Sequence, residues 1–137
     1  IIDTAAGLFG ATADVLTAAN AVMIPQQAEP LGIRSVPKML EALTRIRIVN
    51  PHLKVLGIVL TMMQVKLPES RDTVMALRNI LPQELVLRTV IPRDDLFIKA
   101  SARGLPVGVM DGGALALGVF DKLRLEVERK LAGVIAG

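Results

Sequence analysis

The sequence predicts an α/β fold: a predominantly parallel sheet with helices on both of its faces. A short, continuous apolar run stands at residues 21–24, the pattern of a strand covered on both sides, and stretches rich in Val, Ile and Leu stand at 54–63 and 85–91. Between them lie longer stretches whose apolar residues recur at helical spacing, for example Val36, Met39, Leu40, Leu43, Ile46 and Val49. Strands that alternate with helices of this length join by right-handed crossovers, which makes their neighbours parallel. The 137 residues are 52% hydrophobic, enough for one core that buries roughly two thirds of the unfolded surface. Aromatics are only 2%, so that core is left to Leu, Ile, Val, Ala and Met.

Taken in order, Ile1-Ile2-Asp3 reads as the end of a buried strand, and a helix is predicted over 11–19 with Thr12 as its N-cap. The run at 21–24 is a strand that Pro25 ends, which places Gln26, Gln27 and Glu29 just past its carboxyl end. Asn50-Pro51 closes the following helix. Residues 54–63, rich in Val, Ile and Leu, give the clearest strand. A helix over 69–81 presents Val74, Leu77 and Leu81 on one side, and a strand over 85–91 is stopped by Pro92. Gly104 and Pro106 punctuate a loop and short helix between 93 and 111. A last helix over 115–135 is apolar at Val119, Phe120, Leu123, Val127 and Leu131. In a parallel sheet the ligand crevice lies at the carboxyl ends of the strands, and the irregular polar segments fall there.

Several function classes drop out early. With no cysteine and a single histidine, His52, disulfides, thiolate metal sites and a zinc centre are excluded. The longest apolar stretch, 55–63, is half of what a membrane span needs. No secretory signal opens the chain, so a soluble protein of the reducing cytoplasm is expected. The start without Met, in what reads as mid-strand, gives the expectation of a fragment.

Five segments in order resemble the ParA/Soj group of partition ATPases. Ile1-Ile2-Asp3 followed by a helix is similar to the group's Ile-Ile-Asp-Cys-Pro-Pro. Ile24-Pro25-Gln26-Gln27-Ala28-Glu29 resembles Ile-Pro-Val-Gln-Cys-Glu, and Gly57-Ile58-Val59-Leu60-Thr61-Met62 resembles Gly-Val-Leu-Leu-Thr-Met. Thr89-Val90-Ile91-Pro92-Arg93 matches Thr-Val-Ile-Pro-Arg. Ala100, Gly104, Pro106-Val107 and Asp111 follow the spacing of Ala-Pro-Ser-x-Gly-x-Pro-Val-x-x-Tyr-Asp. The resemblance implies a P-loop NTPase-like fold, with residues 1–137 as the C-terminal portion of a single nucleotide-binding domain. Departures stand at Ala5-Ala6 for Pro-Pro, Met63-Gln64 for Tyr-Asp and Asp94-Asp95 for Asn-Val. The Gly-rich Lys-Thr loop that holds the phosphates in this group is absent, and no Gly-Lys-Ser/Thr occurs in the chain.

From the residues alone, Asp3 is either a strand-end or capping carboxylate or a ligand of Mg2+, directly or through water; the resemblance favours magnesium and makes Asp3 catalytic. Gly7 and Thr12 read as a turn and a cap, or as part of a loop sensing the terminal phosphate. The resemblance implies that Thr61, Met62, Ile91, Pro92 and Arg93 border the adenine of ATP. Pro92 otherwise merely ends a strand, and Gln27 and Glu29 line the crevice, a subunit contact or solvent.

Between Pro30 and Pro68 six cations, Arg34, Lys38, Arg45, Arg47, Lys54 and Lys66, face one carboxylate, Glu41. They are candidates for sequence-independent contact with DNA phosphates, or a solvated helix face. Lys122, Arg124, Arg129 and Lys130 on the last helix raise a membrane-surface reading like that of the related MinD proteins. Against it, Asp121, Glu126 and Glu128 interleave with them, and the apolar stripe suits a helix covering the sheet. For the whole protein the resemblance implies an ATP-dependent homodimer on nucleoid DNA, stimulated by a ParB-like partner. A non-catalytic module of the same fold, and a MinD-like site selector, are the alternatives.

Overall fold

In the computed structural model, which describes residues 1–7 and 9–135, the elements follow in the order α1 (Ala11–Ala18), β1 (Ala21–Gln27), α2 (Pro30–Val49), β2 (Lys54–Met63), α3 (Pro68–Ile80), β3 (Val86–Pro92), α4 (Asp95–Arg103) and α5 (Gly113–Ile135). The three strands form one sheet in the order β1-β2-β3, and both pairings are parallel. Crossovers through α2 and α3 make this possible, as the alternation of elements requires.

Neighbouring residues of β2 point to opposite sides of the sheet and so belong to different cores. Ile58 and Leu60 join Ile24 and Val86 beneath Val36 and Leu43 of α2 and Val74 and Leu77 of α3. Val59, between them, packs with Leu87 and Ile91 under Val119, Leu123 and Val127 of α5. The stripe on α5 is therefore spent on the sheet. Burying a side chain such as Leu87 contributes about 1.5–3 kcal/mol, so these two layers hold the fold. A smaller cluster, Leu16 with Ile46 and Leu53, seats α1. There the Asn50 amide donates to the carbonyls of Leu16 (3.0 Å) and Ala19 (2.9 Å).

Gly57 has a local task. The β1–β2 register slips between Val22 and Met23, where Leu56 is the extra residue of a bulge. Gly57 sits there at φ 139°, and a Cβ would lie 2.4 Å from Leu87 Cδ1 and 3.0 Å from the Leu85 carbonyl. No other residue fits both the backbone angle and that approach.

The structure corrects three expectations. Ile1-Ile2-Asp3 forms no strand, and Ile1 and Ile2 are exposed; three residues without a ladder partner gain too little to offset the entropy of ordering them. Pro25 does not end β1, which continues to Gln27. β1 pairs only with β2, and an edge strand tolerates a residue without an N–H. Pro92, by contrast, is the last residue of β3, opposite Met63, and the strand stops there as expected. The N-cap of α1 is Gly10, while the buried Thr12 hydroxyl donates to the Ala5 carbonyl at 3.1 Å.

Candidate functional site

The carboxyl ends of the three strands are cross-tied. The Ala28 N–H donates to the Thr61 carbonyl at 2.8 Å, and the Thr61 hydroxyl to the Gln26 carbonyl at 3.4 Å, joining β1 to β2. The Arg93 N–H donates to the Met63 carbonyl at 2.9 Å, joining β2 to β3. Below them Ser70, in the first turn of α3 and 2% exposed, donates to the Ala28 carbonyl at 2.8 Å and accepts from the Gln64 N–H at 3.1 Å. One hydroxyl thus pins the segments that leave β1 and β2. Within this tied rim β2 turns sharply. Met62 has φ 57°, the only non-glycine residue at positive φ among those described, a conformation that costs about 1–2 kcal/mol.

Thr61 and Met62 therefore stand beside Pro92 and Arg93 on adjacent strand ends. Their availability differs. Met62 is 41% exposed and Arg93 is exposed, while Pro92 and Thr61 are half-buried. The Ile91 side chain is buried against α5 and offers a neighbour only its backbone. Gln27 is exposed and Glu29 half-buried, at the carboxyl end of β1 and just past it. Beyond Arg93, Asp94 caps α4, its carboxylate accepting from the Leu96 N–H at 2.8 Å. Asp is as good a cap as Asn, so Asp94 keeps the local geometry expected of Asn at this place. Gly104 ends α4 in the left-handed conformation.

Asp3 is not drawn into this rim. It lies exposed in the irregular segment before α1, and among the described residues its carboxylate has no hydrogen-bonding or ionic partner. No three His, Cys, Asp or Glu side chains gather as a metal cage among the described residues.

The six basic candidates separate into two groups. Arg34 and Lys38 in the first half of α2, with Lys66 after β2, lie toward the carboxyl ends of the strands. Arg45 and Arg47 near the end of α2, with Lys54 opening β2, lie toward the amino ends. The ten residues of β2 keep Lys54 and Lys66 roughly 30 Å apart. Arg45 is further engaged by Glu41 at 2.6 Å. His52 is exposed in the turn before β2.

Two side chains central to this architecture escape a reading of the sequence as charge and stripe. Ser70 passes for an ordinary residue of a helix's first turn, with no mark of its burial. Glu126 looks like one more surface charge of α5, yet its carboxylate accepts from the N–H groups of Arg88 (2.6 Å) and Thr89 (2.9 Å) on the outer edge of β3. A signal was present: Glu126 follows Val119 by seven residues and Leu123 by three, which puts it on the sheet-facing stripe. Partial burial pushes its pKa up, but the two amides, the Thr89 hydroxyl and the Lys130 charge outweigh this and hold it below the ordinary carboxylate range.

For a nucleotide, the donor set divides. The strand ends offer a flat proline, a methionine and backbone groups, which suit a base. The chain has no Gly-rich Lys-Thr loop to cradle a triphosphate, and Asp3 is a lone carboxylate.

No family profile matches the chain. It is 27% identical over 128 residues to the chromosome-partitioning ATPase Soj of Treponema pallidum, an alignment that takes in 93% of this chain and 50% of that protein. It is 30% identical over 128 residues to the chromosome partitioning protein ParA of Caulobacter vibrioides, covering 93% and 48%. The chain thus spans about half the length of the curated relatives it matches. Among solved structures, apo McdA of Cyanothece superposes with a TM-score of 0.63 at 18% identity, over 85% of this chain and 46% of that one. Cobyrinic acid a,c-diamide synthase of Mycobacterium smegmatis, solved with ADP and magnesium, gives 0.51 at 31% identity over 65% and 42%. The fold is that of the ParA-like P-loop ATPases, and over 93% of its length the chain is a homologue of the Soj/ParA chromosome-partitioning proteins.

Proposed function

We propose, from this homology to the Soj/ParA partition proteins, that residues 1–137 are the C-terminal portion of one nucleotide-binding domain. The intact protein would be an ATP-driven partition switch. In it, two subunits close around ATP and Mg2+, the dimer holds nucleoid DNA through basic surface, and a ParB-like protein stimulates hydrolysis. The observation that carries this reading is the tied rim, which sets Thr61-Met62 against Pro92-Arg93 where a parallel α/β sheet receives its ligand. Those residues and the Ile91 backbone would border the adenine. Asp3, set at a strand end in the intact domain, would hold Mg2+ directly or through water.

The chain alone has no cradle for the phosphates, so it is expected not to hydrolyse ATP. Mixing it with ATP and Mg2+ and following phosphate release tests this; substantial release contradicts the division of labour. A second reading, a non-catalytic module of the same fold, draws on Ala5-Ala6 and on the exposed Asp3. The coding sequence upstream of Ile1 separates the two: a Gly-rich Lys-Thr loop there supports the ATPase, and its absence supports the module. A membrane-surface role for α5 has less support, because Val119, Leu123 and Val127 are half-buried and packed on the sheet, and no described helix is long and apolar enough to cross a membrane.

A further inference from the structure

On the far side of the sheet from β1, the outer edge of β3 and the exposed flank of α5 enclose a groove of about 650 Å3. This is within the roughly 300–1,000 Å3 typical of ligand sites. It contains none of the residues assigned above to nucleotide or DNA. Arg88, Lys122, Arg129 and Lys130 line it against a single carboxylate, Glu126. That carboxylate is already consumed by the Arg88 and Thr89 amides and faces Lys130, so the groove presents positive charge. None of its four cations takes part in an ion pair among the described residues. The neighbouring acids Asp121 and Glu128 are engaged by Arg124. Between the cations the lining is apolar: Val90 and Val119 are half-buried, and Leu125 is 46% exposed.

We infer that this groove binds an acidic peptide segment of a partner protein, with carboxylates on the four cations and an aliphatic side chain on Leu125. Charge complementarity selects an anion. The apolar lining selects a peptide over a nucleic acid, whose phosphates gain nothing from Leu125. Simple strand addition to β3 is also closed off. Glu126 takes the amides of Arg88 and Thr89 that an added strand would need, so the partner is read through its side chains. The way Glu126 itself is held, a carboxylate on β3 amides beside Lys130, is the internal precedent for this chemistry.

Fluorescence anisotropy of the 137-residue chain with a labelled short peptide of glutamates flanking two leucines tests the inference. Binding is expected, and K122E combined with R129E should weaken it at least about tenfold, the size of losing two charge contacts. Both side chains are exposed, so the fold should persist, as circular dichroism will verify. The charge-matched pair R34E and K38E on α2 should leave binding unchanged. Replacing the peptide's leucines by alanine, or Leu125→Ala in the protein, should weaken it as well. The inference is overturned by any of four results: no binding, equal loss in both charge reversals, indifference to the leucines, or tighter binding of a random-sequence DNA duplex in the same groove.

Discussion

Two segments that resemble the ParA/Soj pattern, Ile1-Ile2-Asp3 with its following loop and Thr61-Met62 with Pro92-Arg93, have opposite standing in the fold. The strand-end segment is tied by backbone bonds across three strands, pinned by buried Ser70 and carried on Ile58 and Leu60, which are fully buried. In the leading segment Ile1 and Ile2 are exposed, and the Ala5 carbonyl is reached by the Thr12 hydroxyl. The contrast separates a motif that carries its own support from one that this sheet leaves without a ladder partner. In the proposed ATPase the base-side wall would be built by this chain, whereas the magnesium side would only be spelled in it.

Stability measurements can break or sharpen this comparison. The largest effect is expected from Leu60→Ala, beneath the rim, which should cost about 2–5 kcal/mol in urea unfolding. Ser70→Ala should cost about 1–3 kcal/mol, because the buried Ala28 carbonyl and the half-buried Gln64 N–H lose their partner. It should also speed amide exchange at Gln64. Glu126→Gln should cost about 1 kcal/mol, and it carries a pH signature. Its pKa is lowered by folding, so the carboxylate stabilises the fold above the ordinary carboxylate range, and that contribution fades as pH falls through the lowered value. Urea titrations at falling pH should therefore show a smaller decline for the variant than for the parent chain. At the far end, Ile2→Ala should stay within about 0.5 kcal/mol. A cost comparable to Leu60→Ala would mean that the leading segment is packed after all.

The same contrast explains what could be read before any coordinates. β2, α2, α3 and α5 follow from apolar periodicity because each buries a complete face on the two cores. The end of β1 is misread at Pro25 because periodicity does not reveal which strands are edges, and an edge tolerates proline, whereas β3 does stop at Pro92. A strand at Ile1-Ile2-Asp3 was expected from apolar character alone, yet a strand exists only where a ladder partner exists. The basic run between Pro30 and Pro68 looked continuous in one dimension. Lys54 and Lys66 nonetheless stand at opposite ends of β2, while a different set of cations, remote in sequence, meets across β3 and α5. Gly57 was read as part of a motif, and its physical reason, the bulge against Leu87, belongs to the tertiary fold.

The division between a base wall present and a phosphate cradle missing is tested most directly by following backbone amide resonances of the chain during titration with adenosine and, separately, with ATP and Mg2+. The account predicts that both ligands shift the same few amides, at Thr61 to Gln64 and at Arg93, with equal affinity. Tighter binding of ATP with Mg2+ accompanied by shifts between Asp3 and Gly10, or no shift at the strand ends with either ligand, would contradict it.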